Sequence, residues 1–259
     1  RLMRVDASKT AKENWREVIP HRPKVLLEQI DGFDRHLVLQ ERENGQTKLR
    51  IRDLQNETDH YLEFDESAYS AGIGYTPDMD NQWLRFHYSS LTTPKSTFDY
   101  HMGTGEKVLK KQREVVGGHD PKNYRTERLW AKGRDGTQIP ISIVYKDGLV
   151  KNGKAPLLLY GYGSYGYTID PEFQSMRLSL LDRGFAFAIA HIRGGQMLGR
   201  QWYLDGKLLK KKNTFYDFID CAKFLIKEDY TSSESLYAQG GSAGGLLMGA
   251  VLNEEPSLF

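Results

Sequence analysis

The segment Gly240-Gly241-Ser242-Ala243-Gly244 constrains the fold more than any other stretch of the chain. It follows the apolar run Leu236-Tyr237-Ala238-Gln239 and precedes Leu246-Leu247-Met248-Gly249-Ala250, so a strand is expected to turn sharply into a helix at Ser242. The pattern is G-x-S-x-G, in which the serine sits in a strained backbone conformation where strand and helix pass close together. Side chains two positions before and after the serine would collide there, which makes glycine at 240 and 244 a steric requirement. A tightly packed or anion-binding helix start would also explain the glycines. The apolar runs on both sides favour a nucleophile at Ser242.

The chain upstream of this turn alternates buried strands with helices. Ala155-Pro156-Leu157-Leu158-Leu159-Tyr160 and Phe185-Ala186-Phe187-Ala188-Ile189-Ala190 are continuous apolar runs, as expected of strands covered on both faces. Phe215, Phe218, Ile219, Ala222, Leu225 and Ile226 then recur at three-and-four spacing, which predicts an amphipathic helix. Thr214-Phe215-Tyr216-Asp217 has capping-box spacing at its start, with Asp replacing the usual Glu or Gln. Such alternation predicts a parallel α/β sheet with Ser242 at the carboxyl end of a strand, where these sheets place their sites. Ahead of it, Glu127–Lys132 and Gln138–Tyr145 flank Gly133-Arg134-Asp135-Gly136 as a hairpin.

The first part of the chain has a different pattern. From Val25 to about Glu114, short strands are separated by turns such as Glu43-Asn44-Gly45-Gln46 and Gly103-Thr104-Gly105-Glu106. The polar turn Gln55–Asp59 precedes a strand expected at Tyr61–Phe64. Trp83–Tyr88 stands where His36–Gln40 stood, a recurrence of 47 residues, near the period of a four-stranded propeller blade. The residues leave an ordinary antiparallel sheet open as well. Two blades cannot close a ring, so the propeller reading expects further sequence ahead of residue 1. The breaker cluster Gly117-Gly118-His119-Asp120-Pro121 sets the expected division into residues 1–118 and 119–259.

Composition narrows the function classes. A formal net charge of +2 over 259 residues suggests neither nucleic acid nor an anionic membrane as partner. The run Lys207, Lys210, Lys211 and Lys212 reads as a solvated approach to a helix. The single cysteine, Cys221, lies in the amphipathic pattern as a small buried residue and rules out an internal disulfide. With no transmembrane-length apolar run and no signal peptide at Arg1–Thr10, the expectation is a soluble protein of a reducing compartment, the cytoplasm. No cofactor and no metal ligand set is expected.

Acyl transfer at Ser242 needs donors for an oxyanion, and the backbone N–H of Ala243 follows from the turn itself. A second donor is expected from a loop after an earlier strand. Tyr160-Gly161-Tyr162-Gly163-Ser164-Tyr165-Gly166 fits, although a turn whose aromatics cover the sheet edge fits equally. His191 is rejected as the general base, because the order in such a fold is serine, then acid, then histidine. All 7 histidines precede Ser242, and only Glu254 and Glu255 follow it as carboxylates. The base and its acid are therefore expected beyond Phe259, with the present chain inactive alone.

At these motifs the chain resembles the oligopeptidase B type of the prolyl oligopeptidase family of serine peptidases. The matching stretches are Asp120–Tyr124, Asp135–Pro140, Tyr160–Tyr165, Arg177–Gly184, His191–Gly195, Gln201–Tyr203, Lys210–Phe215 and Gly240–Met248. The resemblance implies part of an α/β-hydrolase domain preceded by part of a β-propeller that screens out large folded substrates. It implies Ser242 as nucleophile, with the Tyr162 hydroxyl and the Ala243 N–H at the oxyanion. Short basic peptides cleaved after arginine or lysine are the implied substrates, with Asp170 and Glu172 reading the residue before the cleaved one. Prolyl or acylaminoacyl specificity, or a catalytically silent piece, are the alternatives. Two departures stand out, Met197 in place of the glutamate of Arg-Gly-Gly-x-Glu and Leu204 in place of an acid after Trp-Tyr. They put the positioning of their loops in doubt. Oligomeric state is left open.

Overall fold

The computed structural model describes residues 1–259. A short antiparallel ribbon of β1 (Leu2–Arg4) and β2 (Arg16–Ile19) comes first. Then come β3 (Val25–Gly32), β4 (His36–Glu43), β5 (Gln46–Asp53) and β6 (Asp59–Tyr61), paired in chain order as one four-stranded sheet. β7 (Tyr69–Ile73), β8 (Trp83–Ser90), β9 (Ser96–His101) and β10 (Lys107–Gln112) repeat the arrangement. These are two separate antiparallel sheets, the layout of successive propeller blades, and His36 and Trp83 open the second strand of each. Alternation along the strands explains the packing: Val38, Leu49, Ile51, Leu84, Phe86 and Met102 form one apolar core joining the sheets. The strand expected at Tyr61–Phe64 is displaced to Asp59–Tyr61, because Phe64 turns inward to stack on Tyr88 at 5.1 Å between ring centroids.

The second half is built on β11 (Tyr124–Lys132), β12 (Gln138–Lys146), β13 (Leu157–Tyr160), β14 (Ala186–Ala190) and β15 (Leu236–Gln239). Their spatial order is β11-β12-β14-β13-β15. β13 runs parallel to β14 and β15, as the apolar runs predicted. The β11–β12 hairpin joins the same sheet antiparallel, so the sheet is mixed and not parallel throughout.

Four α-helices accompany this sheet: α1 (Ser175–Leu181), α2 (Arg200–Leu204), α3 (Lys212–Lys227) and α4 (Ala243–Glu254). α3 and α4 share one core with the sheet through Phe218, Ile219, Ala222, Leu225, Leu247 and Val251. Cys221 is buried in that core, and burial pushes its thiol well above the ordinary range. On another part of the sheet, Leu181 of α1 packs with Val144, Phe187 and Ile189. Leu91 of the β8–β9 turn completes that cluster, so an apolar side chain of the first half is buried in the second. The carboxylate of Glu66 fixes this turn by accepting hydrogen bonds from Tyr88, Ser90, Thr92 and Thr93 at 2.6–2.9 Å.

The capping box is not formed. α3 begins at Lys212, so Thr214 already lies inside the helix. Its hydroxyl donates to the Arg193 carbonyl at 2.9 Å, while Asp217 accepts from Arg193. Both side chains serve a neighbouring loop instead of the helix end.

Candidate active site

Ser242 caps α4 with φ 54° and ψ −116°, a left-handed conformation that a residue with a Cβ adopts only at a cost. The surroundings enforce it. A Cβ on Gly240 would lie 2.5 Å from the Gly244 carbonyl oxygen and 3.0 Å from that of Gly161. One on Gly244 would lie 2.9 Å from the Gly161 oxygen. Strand β15, helix α4 and the loop after β13 thus meet backbone to backbone, and the two glycines that bracket the serine are sterically required.

That loop carries Tyr162. It leaves β13 with the Gly161 N–H donating to the Gln239 carbonyl at 3.0 Å. The same hypothetical Cβ on Gly244 would lie 3.7 Å from the Cα and the ring Cδ2 of Tyr162, which puts Tyr162 alongside the start of α4. Its ring meets Tyr167 edge-on at 5.8 Å. The site therefore gathers a strained serine, the N–H of Ala243 at a helix start, where those of Gly244 and Gly245 already donate to the Gly241 and Ser242 carbonyls, and a half-buried tyrosine.

Residues 191–197 brace the Tyr162 loop from behind. Gly194, at φ 99°, packs its Cα directly on the Gly163 carbonyl, where a side chain has no room. The Gly194 carbonyl accepts from the Gly166 N–H at 2.9 Å, and Gln196 Nε2 donates to the Gly166 carbonyl at 3.1 Å. Arg193 anchors this brace. Its Nε and Nη2 donate to Asp217 at 2.9 and 2.5 Å, its backbone N–H donates to the same carboxylate at 2.9 Å, and Nη1 donates to Asp135 at 2.7 Å. Burial works against the Arg193 charge, but the two carboxylates outweigh it and hold the guanidinium protonated.

Asp135 lies at the edge of this network. Burial would raise its carboxyl, but the Thr137 N–H and Arg193 outweigh that and bring it from 3.8 to about 2. A folded pKa below the unfolded one gives stability that is present above about pH 4. It is lost as pH falls from about 4 to about 2. Urea midpoints between pH 5 and pH 2 are expected to fall less steeply for Asp135→Asn than for the parent.

His191 is buried, and its Nε2 meets Ser142 Oγ at 2.7 Å. Burial, reinforced by the Arg128 and Arg42 charges, lowers its pKa to about 3, so it stays neutral and engaged away from Ser242. Two residues carry more than the sequence suggested. Asp217 is the buried anchor just described. Lys211 is half-buried, and its Nζ donates to the Gly163 carbonyl at 2.6 Å and to Ser164 Oγ at 2.8 Å. It is not a solvated member of a lysine run. Lys210, by contrast, pairs with Asp205 at the surface.

Asp170 and Glu172 line one cleft of about 390 Å³, together with Tyr160, Gln239, Phe187 and Arg177. Their situations differ. Glu172 is exposed, whereas both oxygens of Asp170 accept from Arg42 of β4, at 2.7 and 3.1 Å. Arg42 is 4% exposed and also binds Glu28 at 2.6 Å. Burial pulls its charge down, but the two carboxylates more than offset this and keep it protonated.

Residues 1–113 match the family profile described as "Prolyl oligopeptidase, N-terminal beta-propeller domain", and residues 171–259 match the one described as "Prolyl oligopeptidase family". The chain belongs to the prolyl oligopeptidase family. It is 45% identical over its whole length to "Dipeptidyl aminopeptidase BI" of Pseudoxanthomonas mexicana, of which it spans 36%. It is 42% identical over 93% of its length to "Protease 2" of Moraxella lacunata, spanning 35% of it. Among solved structures it resembles oligopeptidase B from Trypanosoma brucei, with a TM-score of 0.89 and 42% identity, covering 96% of this chain and 36% of that one. The chain thus spans about a third of the length of these relatives.

The two departures from the usual prolyl oligopeptidase wording fall in different settings. Met197 is buried with its sulfur 3.6 Å from Arg42 Nη1, at the contact between the two halves. The negative charges facing Arg42 there come from Asp170 and Glu28. Leu204 closes α2 and is partly buried, and nothing in its surroundings explains the replacement.

Proposed function

We propose that the protein is a serine peptidase that cleaves short peptides after arginine or lysine through an acyl-enzyme on Ser242. One observation carries this reading: Ser242 is held in a left-handed conformation on a strand-to-helix turn, between two glycines that cannot bear side chains. A serine kept there at a cost is a reactive group on display. Its Oγ attacks the scissile carbonyl. The negative charge that develops on the carbonyl oxygen is met by the Ala243 N–H, at the positive end of α4, and by the Tyr162 hydroxyl. The amine leaves with a proton, and water then releases the acyl group. His191 is not the base for these steps: burial brings its pKa to about 3, too weak to take the serine proton, and Ser142 holds its Nε2. Glu172, the exposed carboxylate, supplies negative charge to the adjoining cleft, while Asp170 beside it is paired with Arg42.

A fluorophosphonate probe is expected to label the full-length protein at Ser242, and Arg-based reporter peptides are expected to outpace Pro- and acetyl-Ala-based ones. Labelling at another residue would remove the nucleophile assignment; faster cleavage of the Pro reporter would remove the specificity. The relative named as a dipeptidyl aminopeptidase motivates a second reading, release of dipeptides from free amino termini. Reporters with blocked and free amino termini separate the two.

A further inference from the structure

Tyr162 sits between Gly161 and Gly163, so the backbone on either side of it carries no Cβ to hold it. An oxyanion donor stabilises charge only if it is already aimed before the reaction. Something outside the loop must therefore set its position. Gly163 is gripped on one side: a Cβ there would run into Thr214 and into Ile192, and the Gly194 Cα lies against its carbonyl. The remaining directional contact on that carbonyl comes from Lys211, at 2.6 Å, with a second bond to the Ser164 hydroxyl at 2.8 Å.

Lys211 is unlike the neighbouring Lys210, which has a carboxylate partner at the surface. Its ammonium is half-buried and bound to neutral oxygens, and its pKa falls to about 8 through burial alone. A lysine placed so has given up water without gaining a counter-ion, a cost that the surrounding fold must offset. The two atoms it reaches are the first carbonyl and the first hydroxyl after Tyr162. They are reached from the start of α3, whose Thr214 and Asp217 already serve the brace behind the loop.

We propose that Lys211 is a positioning residue of the reaction: its ammonium clamps the Gly163–Ser164 end of the loop and so holds the Tyr162 hydroxyl at the oxyanion. The role rests on the reading of Tyr162 given above and acts only through it. Arginine keeps the charge and the donors, with a different head shape, and should restore part of the effect. Methionine keeps the stem alone.

The test uses the full-length protein and an Arg-based reporter. Lys211→Met is expected to lower kcat about tenfold to a hundredfold, less than the about 10²–10³ lost when an oxyanion donor is removed outright. KM should stay within about twofold, and Lys211→Arg should recover part of the loss. Affinity for a peptide aldehyde, whose serine adduct places an oxyanion in the same spot, should fall in parallel with kcat. In a Tyr162→Phe background, Lys211→Met should cost little more, because both changes remove the same interaction. If Lys211→Met does not fold, Lys211→Gln carries the same comparison. Equal losses in the parent and the Tyr162→Phe backgrounds, or a loss confined to KM, overturn the clamp. A slow Tyr162→Phe enzyme beside a fully active Lys211→Met overturns the clamp and leaves Tyr162 standing. A Tyr162→Phe protein with undiminished kcat removes the reading of Tyr162, and the clamp with it.

Discussion

Ser242→Ala is expected to lower the turnover of the full-length protein by about six orders of magnitude, and Ser242→Gly by as much while raising its stability. The first effect follows from the chemistry: without Oγ there is no acyl-enzyme, and what remains is catalysis by the oxyanion donors and substrate binding alone. The second follows from the backbone. At φ 54° and ψ −116°, alanine keeps the clash between Cβ and backbone that serine suffers, a strain of about 1–3 kcal/mol. Glycine removes it but adds about 0.5–1 kcal/mol of conformational entropy to the unfolded chain. The net expectation is a gain of about 1 kcal/mol for glycine over alanine, read as a shift in urea midpoint. Alanine retaining activity within about a hundredfold of the parent would end the nucleophile assignment. Glycine no more stable than alanine would mean that the turn stores no strain.

The strand-to-helix turn at Ser242 was legible because its requirements are local. Two glycines, a serine and two apolar runs lie within one short stretch, and the backbone contacts at Gly240 and Gly244 are what their spacing implied. The β11–β12 hairpin was legible from the Gly133–Gly136 turn between its strands, and β13 and β14 from continuous apolar runs, which suit strands covered on both faces. α3 is visible from its periodicity, yet its first turn differs from the capping box its spacing predicts. Thr214 and Asp217 have the right spacing for a cap, but both point toward Arg193, far earlier in the chain, and no local rule records that partner. Lys211 is hidden in the same way. Among four lysines it is the one that reaches the Gly163 loop, and only the packing of that loop reveals it. Asp170 and Glu172 look equivalent in sequence and are not, because Arg42, in the other half of the chain, reaches one of them. Each of these differences involves a polar side chain whose partner is distant in sequence.

Asp217→Ala is expected to destabilise the protein by about 3–5 kcal/mol and to slow the reaction as well. Asp217 is fully buried, and Arg193 nearly so. Removing the carboxylate leaves the Nε and Nη2 of a buried guanidinium without acceptors, and strands the Arg193 backbone N–H with them. Asp135 still binds Nη1 but is 42% exposed and pairs with only one corner of the head group, so it cannot make up the difference. The cost is that of an orphaned charge, more than the net contribution of the pair. Arg193→Met combined with Asp217→Leu should therefore recover much of the stability that either change alone removes, because it leaves no buried charge. Activity should not recover with it. The backbone at Arg193 would lose the bond that seats Gly194 against Gly163, and the Tyr162 loop would keep its apolar packing without its register. Thermal melts and kcat for the two single variants and the double variant test the argument. A loss under about 1 kcal/mol for Asp217→Ala, or a double variant as unstable as the worse single one, would show that the network does not anchor the site.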